Sequence, residues 1–202
     1  MWKCQSVLLL DVCLGGKSTE LHKRFRITFQ KHPSSTVCFV PSIDNRYSKN
    51  ALSVTHDGSR IYAIHIDSLT LDPVGIENAT NIFIDEGQFL EGLADFCIRQ
   101  KLAGKHITVA ALSSDFMGKA WAEIQALVPV HVSNYTALTA VCVVCRQDAF
   151  YSRKLVSSST LVDVGGSDKY VAVCLKHFKD TTPIPTKTLD VYKSDLNKLI
   201  VN

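Results

Sequence analysis

Val7-Leu8-Leu9-Leu10-Asp11-Val12-Cys13-Leu14-Gly15-Gly16-Lys17-Ser18-Thr19 is the stretch on which the reading of the whole chain turns. Its apolar, branched first half reads as a buried strand, Gly15-Gly16 ends that run, and a charged, helix-like segment follows. Strand, loop, helix in that order can build a phosphate site. Such a site needs backbone N–H groups turned inward, a lysine ammonium on the outer phosphates and a hydroxyl for Mg²⁺. Gly16, Lys17 and Ser18 supply these in register. The full pattern G-x-x-x-x-G-K-[ST] asks for a glycine where Asp11 stands, so an ordinary Gly-Gly-Lys-Ser surface turn is the competing reading.

Outward from this loop, Leu21, Phe25 and Phe29 recur at four-residue spacing, which predicts a helix from Ser18 to about Gln30 with Lys23, Arg24 and Lys31 on its solvated face. Thr36-Val37-Cys38-Phe39-Val40 reads as a second buried strand closed by Pro41, and the polar loop Asp44-Asn45-Arg46-Tyr47-Ser48 lies beyond its carboxyl end. In open α/β sheets ligands collect at that edge. A short strand is expected over residues 59–66 and a turn over 78–81. Ile82-Phe83-Ile84 then runs into Asp85-Glu86-Gly87-Gln88-Phe89, a strand that delivers a carboxylate to the sheet edge. Asp85 there suits Mg²⁺ beside a phosphate loop, and Glu86 is a candidate general base; an acidic turn after a strand is the plainer alternative. A helix over about 90–102, ended by Gly104, precedes a further strand, His106 to Leu112. Strands alternating with helices predict an α/β fold, a parallel sheet flanked by helices.

The chain has 202 residues, 46% of them hydrophobic, enough for a sizeable core. A formal charge of +3 gives no basic field that would argue for nucleic acid or a membrane surface, so neither is expected as a partner. No apolar run approaches the ~20 residues needed to span a bilayer. Residues 1–6 lead straight into the first strand, and Asp11 interrupts what could pass for a signal-peptide core, so a cytoplasmic location is expected.

Seven cysteines, an odd number, do not resemble a secreted disulfide framework. Cys4, Cys13, Cys38 and Cys97 sit in or beside apolar stretches and read as buried free thiols. Cys142-x-x-Cys145 and Cys174-x-x-His177, separated by 28 residues, are different. Two close pairs of soft ligands describe a tetrahedral Cys₃His zinc site, and four protein ligands leave the metal a structural role.

Taken together, Gly16-Lys17-Ser18-Thr19-Glu20-Leu21, Asp44-x-Arg46-Tyr47, Thr55-His56-Asp57, Asp85-Glu86-Gly87-Gln88-Phe89, Leu138-Thr139-Ala140-Val141-Cys142 and Gly165-Gly166-x-Asp168-Lys169-Tyr170 resemble the thymidine kinases of the cytosolic type, over about residues 6–176. The resemblance implies transfer of the γ-phosphoryl group of ATP to the 5′-hydroxyl of thymidine with Mg²⁺, in nucleotide salvage. It implies Glu86 as the base, and an ATP site made of Gly15, Gly16, Lys17, Ser18, Thr19, Asp44, Arg46, Asp85 and Gln88. Phe89, Leu112, Phe116, Ser152, Val164, Gly165, Gly166 and Tyr170 match positions around the nucleoside, with Ser152 where the family commonly has threonine. The resemblance also implies a homotetramer, dTTP as feedback inhibitor, and a small zinc-bearing lobe whose loop, about residues 150–170, closes over the nucleoside. In place of the Gly-Pro-Met-Phe that opens the family's phosphate loop this chain has Asp11-Val12-Cys13-Leu14. A relative with weak or no catalysis, acting as a structural or regulatory subunit, is therefore the second expectation. The division expected is an ATP-binding α/β domain over 1–138, a zinc-bearing lid lobe over 139–178 and a largely disordered tail over 179–202, where apolar periodicity is sparse.

Overall fold

The computed structural model describes residues 6–11, 15–43, 52–55, 58–127, 133–155 and 169–200, without the side chains of Asp11 and residues 196–200. Strand β1 (Ser6–Asp11) is followed by helix α1 (Lys17–Lys31), strand β2 (Thr36–Pro41), the short strands β3 (Leu52–Val54), β4 (Arg60–Tyr62) and β5 (Ile64–Ile66), and β6 (Asn81–Ile84). Helix α2 (Leu93–Leu102), strand β7 (His106–Leu112), helix α3 (Ala122–Leu127) and strand β8 (Asn134–Ala137) complete the main sheet region. Then come strands β9 (Ala140–Val141), β10 (Asp148–Ala149), β11 (Tyr151–Lys154) and β12 (Tyr170–Val173), and helices α4 (Leu175–Lys179) and α5 (Thr186–Ile200).

Six strands form one sheet in the order β5-β2-β6-β7-β1-β8, and every pairing is parallel. The period-2 alternation of a strand assigns its side chains to opposite faces. In β1, Leu8 and Leu10 join the cluster that includes Phe39, Ile82, Ile84, Val109, Leu93 and Phe96, while Leu9 joins Leu21, Phe25, Phe83 and Ala110 on the other side. Both faces are thus covered, α1 on one and α2 with α3 on the other, which explains why the central strands read as continuous apolar runs. Because all six strands point the same way, the segments that follow β1, β6 and β7 emerge at one edge.

The predicted α/β parallel sheet is therefore present, with local corrections. Residues 59–66 are two strands, because Ala63 interrupts them: β4 pairs antiparallel with β3, whereas β5 joins the main sheet beside β2. The helix expected from residue 90 starts at Leu93, after a 3₁₀ turn at Gly87–Phe89. Its first turn is capped from another helix, by the Glu123 carboxylate accepting from the N–H groups of Gly92 at 3.1 Å and Ala94 at 2.9 Å.

A third buried cluster lies beyond β8. It gathers Ala140, Cys142, Val143, Ala149, Val171, Ala172, Val173 and Tyr192, from the hairpins β9–β10 and β11–β12 and from α5. Two expectations change here. Within the segment expected to be a mobile lid, Tyr151–Lys154 is a strand paired with Tyr170–Val173; residues 156–168 lie outside the described residues. The tail, for which no fold was expected, carries α5, because Leu189 and the fully covered Tyr192 pack on the hairpins. Arg146 fastens that helix further, pairing with Asp195 at 2.9 Å and lying over the Tyr192 ring. The cluster joins the sheet closely: the Leu138 N–H donates to the Leu10 carbonyl at 2.9 Å, and β9 begins at Ala140. Among the described residues, no helix is long and apolar enough to cross a membrane.

Candidate functional site

At the common strand edge Gly16 adopts a left-handed conformation (φ 88°) that turns the chain into α1. Lys17, Ser18 and Thr19 follow in the first turn of the helix, with the Lys17 side chain largely buried at 6% exposure. One strand away, β6 ends at Ile84 and presents Asp85, itself buried at 4% exposure. The Ser18 hydroxyl donates to Asp85 Oδ1 at 3.0 Å, and the Glu86 N–H donates to the same oxygen at 3.0 Å. The Ser53 hydroxyl donates to Oδ2 at 3.4 Å. The loop after β1 and the acid after β6, read separately in the sequence, thus meet in space.

The Asp85 carboxyl is pushed up to about 7 from an ordinary 3.8, chiefly by burial and then by the negative charge of Glu86. The Ser18 hydrogen bond and the Lys17 ammonium oppose that rise. Two acids side by side, one without much water, make a site that favours a cation.

Glu86 has φ 50°, a left-handed conformation that is uncommon for a residue with a Cβ. Its surroundings impose the turn: a Cβ on the next residue, Gly87, would meet Val109 Cγ1 at 2.8 Å, so the chain presses directly against β7. The Glu86 carboxylate is aimed by Gln88, whose Nε2 donates to Glu86 Oε2 at 2.7 Å while its Oε1 accepts from the Leu112 N–H at 3.0 Å. Both ends of the amide are used, so its orientation is set. Strained backbone held by surrounding structure is a recurrent feature of reactive sites.

Of the residues matched to the nucleoside pocket, Phe89 lies edge-on to Trp121 with ring centroids 5.6 Å apart. Phe116 and Tyr170 approach to 6.5 Å, with Lys154 Nζ 4.9 Å from the Phe116 centroid and 5.9 Å from that of Tyr170. Ser152 is buried on β11 opposite Ala172. Asp115 turns inward, its Oδ1 accepting from the Met117 N–H at 2.8 Å and the Lys119 N–H at 2.9 Å. Asp44, Arg46, Val164, Gly165 and Gly166 lie outside the described residues, as does the side chain of Asp11; the backbone of Asp11 ends β1 opposite Leu112.

The structure adds Lys154, Ser53 and His22, of which Lys154 and Ser53 carry no mark in the sequence. His22 had a legible signal: Ser18, Leu21, His22 and Phe25 share one helical face.

The second constellation is the soft one. Cys142, Cys145, Cys174 and His177 offer ligand atoms that all lie within 4.8 Å of one another. Cys145 Sγ is 3.7 Å from Cys174 Sγ, and His177 Nδ1 is 3.5 Å from Cys142 Sγ and 3.2 Å from Cys174 Sγ. Tetrahedral zinc with bonds of about 2.0–2.3 Å would set such edges near ~3.5–3.8 Å, so the four residues fit the metal. Burial would raise the Cys142 thiol, yet backbone hydrogen bonds from Cys145, Cys174 and Val144 outweigh it and bring it to about 6, toward the thiolate that metals take. Cys38 and Cys97 are free and buried as expected, and burial, with Glu123 nearby, pushes the Cys97 thiol up to about 12.

An all-parallel sheet with a Gly-Gly-Lys-Ser turn after β1 and a strand-end aspartate facing it defines an α/β protein of the phosphate-loop class. The sequence model described as "Thymidine kinase" matches residues 7–178. The thymidine kinase of rabbit fibroma virus is 38% identical over 170 residues, covering 84% of this chain and 93% of the viral protein. That of myxoma virus (strain Uriarra) is 38% identical over 181 residues, 87% and 97% of the two chains. The cytosolic thymidine kinase of Bos taurus is 35% identical over 195 residues, 96% of this chain and 79% of the bovine one. The chain belongs to the thymidine kinase family.

Proposed function

We propose that the protein is an active nucleoside kinase that moves the γ-phosphoryl group of ATP to the 5′-hydroxyl of thymidine. The carrying observation is the meeting of Lys17 and Ser18 with Asp85 and the Gln88-aimed Glu86 at one sheet edge, in a chain of this family.

In this reading the Glu86 carboxylate accepts the 5′-hydroxyl proton as that oxygen attacks phosphorus; the new P–O bond forms as the bond to the β-phosphate oxygen breaks, and ADP departs. Lys17 stabilises charge on the transferring group, and the N–H groups at the start of α1 face the phosphates with Gly15, Gly16 and Thr19. Ser18 and Asp85, hard oxygen donors 3.0 Å apart, would hold Mg²⁺, which supplies charge neutralisation on the phosphates. Asp44 and Arg46 are assigned to the ATP side on resemblance alone. Phe89, Leu112, Phe116, Ser152, Val164, Gly165, Gly166 and Tyr170 are assigned to thymidine, with Ser152 beside the base. Zinc on Cys142, Cys145, Cys174 and His177 would hold the lobe, taken as residues 139–178, against the sheet region of residues 1–138. A cytoplasmic homotetramer inhibited by dTTP completes the proposal; its location is supported by the name of the bovine relative.

The test is phosphorylation of thymidine by the purified chain with ATP and Mg²⁺. We expect turnover, and a fall of roughly 10²-fold or more in Glu86→Gln with thymidine binding nearly intact, as for a lost general base. No turnover in the parent chain would favour the regulatory relative; equal turnover in the variant would remove Glu86 from the reaction.

A further inference from the structure

Asp85 is not held from the phosphate-loop side alone. His22, on the buried side of α1, is 1% exposed. Its Nε2 lies 2.8 Å from the Ser53 hydroxyl, and its Nδ1 lies 3.3 Å from the Ser59 hydroxyl. Ser53 continues to Asp85 Oδ2 at 3.4 Å, and on the other side Arg26 Nη2 donates to Ser59 Oγ at 2.7 Å. The groups Arg26, Ser59, His22, Ser53 and Asp85 therefore form one line from an exposed guanidinium to a buried carboxylate.

The two ends give that line a direction. A guanidinium can only donate, and the Asp85 carboxylate, ionised when it faces a cation, can only accept, so passing each hydrogen toward Asp85 gives every contact along the line one donor and one acceptor. Ser59 then donates to Nδ1, and Nε2–H donates to Ser53, which leaves the Ser53 hydroxyl hydrogen for Oδ2. A serine hydroxyl is otherwise a free rotor; a donor entering its lone pair from His22 turns it to the acid. The consequence falls on one oxygen. Oδ1 has Ser18 and the Glu86 N–H, whereas among the described residues the donor to Oδ2 is Ser53.

We propose that His22, as the neutral Nε2–H tautomer, is a positioning residue that acts through the Ser53 hydroxyl to fix the orientation of the Asp85 carboxylate for a divalent cation. This rests on the assignment of Asp85 to Mg²⁺ made above. The hairpin β3–β4 thereby has a part in the site although it touches no phosphate-loop residue through this line: it supplies Ser53 directly and, just before β4, Ser59.

Two measurements on the full chain test the proposal. The first is ¹⁵N NMR of histidine-labelled protein with Mg²⁺ and without nucleotide, the His22 signals being identified by their loss in His22→Gln. The expected pattern is a protonated Nε2 and an unprotonated Nδ1; a proton on Nδ1, or on both nitrogens, overturns the wire. The second is the affinity for Mn²⁺ in the presence of a non-hydrolysable ATP analogue, read from the electron paramagnetic resonance of free Mn²⁺. His22→Leu keeps the volume without the donor and should weaken Mn²⁺ about fivefold, the scale of one buried hydrogen bond. Ser53→Ala should match it, and the double variant should lose nothing further, since both cut the same path. His22→Gln, which can still donate, should return to within about twofold of the parent. A purely packing role predicts no such rescue, and equal affinity in parent and His22→Leu overturns the proposal. Unchanged Mn²⁺ affinity in Asp85→Asn would instead fault the assignment of Asp85, a distinct result because the NMR pattern reads the line without any appeal to metal affinity.

Discussion

Asp85 and the group Cys142, Cys145, Cys174 and His177 each gather polar atoms at turns, but what holds them in place differs. Asp85 projects from a strand in the interior of a six-stranded sheet, with a buried cluster on each face and donors from α1, β3 and its own turn. Its geometry is supplied by scaffold that would stand without it. The Cys₃His group sits on the turn of hairpin β9–β10 and on the start of α4 just after β12, beside a cluster of mostly small and β-branched residues plus one tyrosine. Isolated two-stranded hairpins are marginal in water, so here the ligands and α5 must hold the scaffold as much as the scaffold holds them. One region costs stability to keep a site; the other depends on its site for stability.

The sharpest way to break this contrast is to strip the zinc proposed for Cys142, Cys145, Cys174 and His177. A structural zinc contributes on the order of 10 kcal/mol in small domains, so chelation should collapse amide-exchange protection in β9 to β12 while β1, β6 and β7 stay protected. Equal loss in both regions, or none in either, would refute the division of labour. Next in size, Tyr192→Ala should destabilise the hairpin region by about 3 kcal/mol, as for other buried aromatic truncations, and leave exchange in the main sheet unchanged.

Asp85→Asn tests the opposite half. Folding raises the Asp85 carboxyl from 3.8 to about 7, so the neutral acid is the form the fold prefers. The stability tied to that form is complete below 3.8 and is lost as pH rises through 7. In metal-free protein, Asp85→Asn should therefore be more stable than the parent at pH 8, by about 2 kcal/mol, with the difference vanishing toward pH 4. A constant difference at all pH values would mean that charge is not the cause. Smallest is Gly16→Ala: among the described residues nothing meets the added methyl, so the left-handed backbone resists it, at about 1 kcal/mol by thermal or denaturant unfolding.

What could be read from the sequence was what is local. Val7 to Thr19 carries its own strand, turn and helix start, and Cys142-x-x-Cys145 and Cys174-x-x-His177 carry their own ligand spacing. Asp85 was legible because a strand-end acid is visible in a string of residues. The long-range assignments were not. The helical face that His22 shares with Leu21 and Phe25 marks it as inward, but its partners Ser53 and Ser59 come from hairpin β3–β4, which no local pattern brings to it. Helix α5 looked unstructured because its apolar side is thin, and Tyr192 becomes a core residue only when the hairpins are folded against it. Tyr151–Lys154 falls in the loop that the resemblance implies over about residues 150–170, while its pairing with Tyr170–Val173 crosses a long separation that no local pattern marks.

The Leu138 N–H on the Leu10 carbonyl leaves Thr139 as the one residue between the end of that ladder and the start of β9. One or two residues of chain reach at most about 7 Å, so the hairpins are leashed to the strand that carries the phosphate loop. A leash this short sets a high effective concentration: the two parts meet again far sooner than free partners at any cellular abundance. It also assigns direction to any force. A pull on the hairpins is delivered first to Leu10, next to Asp11, and so to the root of the loop rather than to the sheet at large.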